Sequence, residues 1–120
     1  MKTVEISMKS LNGMIDSING AVIGVSKELE KPYNHDGYVA AMNKLSMRIN
    51  DFMKVIRFED NRGVKNYIIS ALEVRTMRFS KSEVKVLSGS AFRKWFKEGL
   101  MRDRLSVEFK VGKDDSKPIK

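Results

Sequence analysis

Two stretches of this chain repeat one spacing of apolar residues, and the repetition narrows the folds open to it more than any other feature. Leu11, Ile15, Ile18, Val22, Val25 and Leu29 follow at intervals of 4-3-4-3-4, and Tyr38, Met42, Leu45, Ile49, Phe52 and Ile56 do the same. An α-helix turns about once every 3.6 residues, so such intervals set six side chains along one stripe. Ser10 suits the N-cap of the first helix. Pro32 cannot continue that helix, and Tyr33-Asn34-His35-Asp36-Gly37 carries turn-forming residues. Two striped helices on so short a connection predict an antiparallel helical hairpin, packed like a short coiled coil.

The flanking segments predict strands and one more helix. Residues 3–8 alternate apolar and polar, as a strand with one buried face does. Residues 54–59 and 64–69, rich in β-branched and aromatic side chains, are read as two strands about the turn Asp60-Asn61-Arg62-Gly63. Val64, Tyr67, Ile68, Ala71, Leu72 and Arg75 also fit a helical face. From Ser90 a third helix sets Phe92, Trp95, Phe96, Gly99 and Leu100 on one side and Arg93, Lys94, Lys97 and Glu98 on the other. Leu105, Val107, Phe109 and Val111 then alternate with polar residues as a strand that Gly112 ends. The expected fold class is therefore α+β: an N-terminal antiparallel helical hairpin, a small mainly antiparallel sheet, and a basic C-terminal helix followed by a strand. With 120 residues the chain suits one domain, placed at 1–112, with 113–120 as a tail without periodicity, expected to be flexible.

Charge is distributed unevenly. The formal net charge is +8. Residues 1–74 hold ten Lys and Arg against nine Asp and Glu, whereas residues 75–120 hold thirteen against six. A surplus gathered in the last third attracts polyanions through steering and counterion release. Arg93-Lys94-Trp95-Phe96-Lys97, with Arg102 and Arg104 after it and Arg75, Arg78, Lys81 and Lys85 before it, mixes phosphate-binding cations with aromatic surface. If Phe92, Trp95, Phe96 and Leu100 are buried, Arg93, Lys94 and Lys97 turn outward together. Residues 80–100 can also be laid on a helix-turn-helix, with Ser80-x-x-Glu83 as a capping box and Ser88-Gly89-Ser90 as the turn. Lys85 and Ser88 then occupy places where a packed helix pair wants apolar groups.

Catalytic chemistry finds little support. There is no cysteine, so neither disulfides nor thiolate metal sites are available, and a reducing cytoplasm is the expected location. The N-terminus lacks a signal-peptide pattern, and no run of residues is apolar enough for a membrane span, so no membrane association is expected. The single histidine, His35, lies beside Asp36 in the interhelical turn without a clustered second ligand. The acidic pairs Glu59-Asp60 and Asp114-Asp115 abut a turn and the tail, and the glycines form no phosphate-cradling motif. No catalytic residue, metal or cofactor is expected. The reading is a non-catalytic accessory or regulatory protein that binds nucleic acid, DNA or RNA. The alternative is a small basic inhibitor or adaptor on an acidic protein surface. The short length and eight methionines would suit a phage or mobile-element accessory protein. Self-association is expected, because a two-helix layer beside a small sheet leaves a second apolar face to bury.

Overall fold

The computed structural model describes residues 2–81 and 89–112, with side chains described for 3–73 and 89–111. It is mostly helical, in the order β1 (Lys2–Ser7), α1 (Met8–Glu30), α2 (His35–Ile56), α3 (Asn61–Lys81), α4 (Gly89–Lys94), a π-helical segment (Trp95–Arg104) that continues α4, and β2 (Val107–Gly112).

The hairpin forms as its stripes predict. Leu11, Ile15, Ile18, Val22 and Val25 of α1 are buried, as are Leu45, Ile49, Phe52 and Ile56 of α2, while Leu29, Tyr38 and Met42 pack at the margin. Both helices start earlier than their first apolar residue suggests. Strand β1 runs straight into α1, and Ser7 rather than Ser10 is the cap, its Oγ accepting the Ser10 N–H at 3.2 Å. Asn34 caps α2 through the Gly37 N–H at 3.4 Å. Two polar side chains of α1, Asn19 and Ser26, are buried with the stripe, and Asn19 Oδ1 has no hydrogen-bond partner among the described residues.

The expected strands at 54–59 and 64–69 are not there. Residues 54–56 finish α2, and α3 starts at Asn61. Two effects outweigh β-propensity. Burial favours a helix, because Ile68 and Leu72, four apart, are fully enclosed with Val64 packed beside them. Local capping does too: the Asp60 carboxylate accepts the Gly63 N–H at 2.9 Å, and Asn61 Oδ1 accepts the Phe58 N–H at 2.7 Å. Gly63 leaves room for the capping carboxylate, which a Cβ there would push aside. The chain leaves α2 through Arg57, held at φ 56° while its Nε donates to the Lys54 carbonyl at 3.1 Å.

The sheet is also a correction. Among the described residues it has two strands, β1 and β2, and they run parallel, with Lys2 opposite Val107 and Ser7 opposite Gly112. Strands paired in parallel need a long crossover, and here the helices between them supply it. Val4, Ile6 and Val107 turn into the core; Glu5 and Lys110, direct partners on the other face, approach to 3.7 Å.

A single apolar cluster joins all these elements, with α1 at its centre, packed against α2, α3 and α4. Phe92, Phe96, Leu100 and Met101 enter it from the C-terminal helix. Their intervals of four, four and one suit π winding, which is wider than 3.6 residues per turn and keeps positions four and five apart on one side. Phe96 meets Phe52 edge-on, with ring centroids 5.4 Å apart.

Candidate nucleic-acid interface

The segment Gly89–Arg104 positions five of the predicted cations, and its buried stripe dictates where they go. Phe92 and Phe96 are fixed in the core, so the residues that follow each of them lean over the surface of α1. Arg93 Nε donates to Asp16 Oδ1 at 2.8 Å and Nη2 to Oδ2 at 3.2 Å, a two-point pairing that matches the planar guanidinium to the carboxylate. Asp16 raises the Arg93 pKa above its already high ordinary value, first by the hydrogen bond and then by charge, against a small desolvation effect. One turn on, Lys97 Nζ donates to Asn12 Oδ1 at 3.3 Å and lies 3.9 Å from Met8 Sδ. Asn12 and Asp16 are four apart on α1 and so receive successive cations of one helix.

Arg93, Lys94 and Lys97 therefore do not form one outward face. Two of them are tethered to α1, and Arg93 is neutralised there. Lys94, Arg102 and Arg104 are exposed, and none makes an ion pair among the described residues. Arg75, Arg78 and Lys81 fall on the C-terminal half of α3, where the backbone alone is described. Lys85 lies outside the described residues, as do the first helix of the helix-turn-helix reading and the tail. Ser80, proposed as a cap in that reading, is inside α3.

Trp95 is half-buried, between the core position and the exposed one that its neighbours suggest. It packs on Phe92 and Phe96, with centroids 5.6 and 6.4 Å apart. Its remaining surface lines a cleft of about 320 Å³ between α3 and the π-helical segment, with Tyr67, Ala71, Gly99, Asp103 and Arg104. Tyr67 and Ala71, four apart, belong to the helical face that the sequence offers beside the strand reading, and α3 follows that face.

A second groove, of about 730 Å³, lies between α2 and the start of α3 and is lined by Asn50, Asp51, Lys54, Asn61, Arg62 and Lys65 among others. One of its cations, Lys54, faces Asp51 at 3.7 Å. His35 opens α2, with its Nδ1 and the Tyr33 hydroxyl sharing a hydrogen bond of 2.7 Å. Among the described residues no three metal-ligating side chains gather, and no helix is long and apolar enough to cross a membrane. No protein-family model, no curated protein and no solved structure matches this chain.

Proposed function

We propose that the protein binds nucleic acid without catalysing a reaction on it, and that its basic C-terminal third contacts the phosphates. The observation that supports this reading is the division of labour along Gly89–Arg104. One side is held in the core by Phe92, Phe96 and Leu100, while Lys94, Arg102 and Arg104 stand in solvent without carboxylate partners among the described residues. Cations that add nothing to the fold's own ion pairs are available to a polyanion.

The test is binding to duplex DNA, single-stranded DNA and RNA across a salt series. Contacts to phosphate release counterions, so the logarithm of the binding constant should fall linearly with the logarithm of salt, by about 0.9 per phosphate contacted on duplex DNA and about 0.7 on a single strand. No binding at low salt, or binding indifferent to salt, would overturn the proposal. So would capture of one stoichiometric protein from a nuclease-treated lysate by a chain that retains no nucleic acid.

A further inference from the structure

Strand β2 pairs with β1 along one edge, and its other edge has no partner strand among the described residues. A cleft of about 300 Å³ runs along that second edge: both faces of β2 line it, through Glu108 on one and Phe109 and Val111 on the other, together with Lys97 and Arg102, and no residue of β1 does. An unpaired edge presents a row of backbone N–H and C=O groups as a template for another strand. Two of its side chains are uncommitted as well. Val111 is 48% exposed although it shares the face on which Val107 is buried. Glu108 is exposed and makes no ion pair among the described residues, while Lys110, two residues on, faces Glu5 at 3.7 Å.

We infer that this edge takes β2 of a second copy of the chain, antiparallel about a two-fold axis at Phe109, so that the two sheets join into one. The order of charges along the strand argues for that occupant. Pairing centred on Phe109 sets Glu108 opposite the partner's Lys110 and Lys110 opposite the partner's Glu108, so one attractive pair forms twice. Lys110 then lies between Glu5 and the partner's Glu108, and the outer face alternates in sign across the strands. On the inner face Phe109 meets its own copy, and Val111 is set opposite the partner's Val107. Other registers fail. Centring on Glu108 or on Lys110 brings like charges face to face, and a shift of one residue sets a charge opposite Phe109. The edge of β1 has no such complement, because pairing about Val4 sets Glu5 opposite Thr3.

The inference is independent of the nucleic-acid reading and is tested on the full chain freed of nucleic acid, by sedimentation at tens of micromolar. The wild-type chain should sediment as a dimer. Glu108→Lys and Lys110→Glu both change exposed side chains of the outer face, and circular dichroism should show both variants folded. Each sets like charges opposite one another twice, and each should weaken self-association by about tenfold or more. Mixed together, the Glu108→Lys chain and the Lys110→Glu chain should form a heterodimer, because every charge across the axis again meets its opposite. A monomeric wild-type chain would overturn the inference, and slow amide exchange along β2 in that monomer would give the edge to another segment of the same chain. Dimers that persist in both variants, or a mixture that restores none, would overturn it as well.

Discussion

The α1–α2 hairpin and the helix running from Gly89 to Arg104 both bury an apolar stripe in the same core, yet they handle charge in different ways. Residues 8–56 carry six Lys and Arg against five Asp and Glu, and local pairs join Lys31 to Glu28 and Arg48 and Lys54 to Asp51. Residues 89–112 carry six against three, and the long-range contacts among the described residues that absorb cations there come from α1, where Asp16 and Asn12 receive Arg93 and Lys97, and from β1, where Glu5 faces Lys110. The hairpin is electrically nearly self-contained. The C-terminal helix depends on the hairpin for part of its compensation and keeps the remainder of its charge in solvent. Stability and charge surplus are thus carried by opposite sides of one helix, which allows them to be perturbed separately.

The largest effect should come from the stripe the two regions share. Phe96→Ala removes a fully buried ring that touches Phe52, Phe92 and Trp95, and should cost about 3–5 kcal/mol in urea denaturation followed by circular dichroism. Phe52→Ala should cost a similar amount, and the double variant should reveal a coupling of about 0.5–1.5 kcal/mol from the edge-on contact. Strict additivity would mean that the two regions are not packed as described.

Charge should separate them next. Replacing Lys94, Arg102 and Arg104 together by alanine should flatten the salt dependence of duplex binding by up to about three units in log–log slope, with the fold intact. Replacing Lys44, Arg48 and Lys54 should change the slope by less than one such unit, and Arg93→Ala alone should leave it unchanged because Asp16 already neutralises that guanidinium. An equal loss from the hairpin set would erase the contrast.

Within the hairpin, Asn19→Leu should raise stability by about 1 kcal/mol, since the amide oxygen is buried without a partner among the described residues. A loss in thermal denaturation would show that the amide is satisfied by water. The smallest effect belongs to the pair across the sheet: Glu5→Gln should leave the melting temperature unchanged, because Glu5 and Lys110 are both well exposed.

Legibility in the sequence followed the range over which each determinant acts. The hairpin was readable almost residue by residue because its signal, intervals of three and four, is local and twice repeated. Both terminal strands were readable as strands, each within two residues of its start, but not their parallel pairing, which depends on where the intervening helices carry the chain. The error at 54–69 has a definite cause: Val55, Ile56, Tyr67, Ile68 and Ile69 favour strands only weakly, and enclosure of Ile68 and Leu72 against α1 decided the matter. At the cationic surface, sequence identified the helix and its charges. It could not tell tethered from solvated ones, since Arg93 and Asp16 are 77 residues apart. Asn12 and Asp16, polar residues bordering the stripe of α1, were the only local hint.

Parallel pairing of the first strand with the last has a consequence for the order of assembly. Lys2 meets Val107, so about a hundred residues must be made and arranged before β1 can form its ladder. Contacts between positions so distant in sequence carry the highest closure entropy and dominate slow folding steps. On the ribosome, β1 emerges before the helices and waits without its partner strand, while α1 and α2, near neighbours in sequence, can already zip together. Closure of the sheet can take place only once the whole cationic helix, which precedes β2 in the chain, has been synthesised.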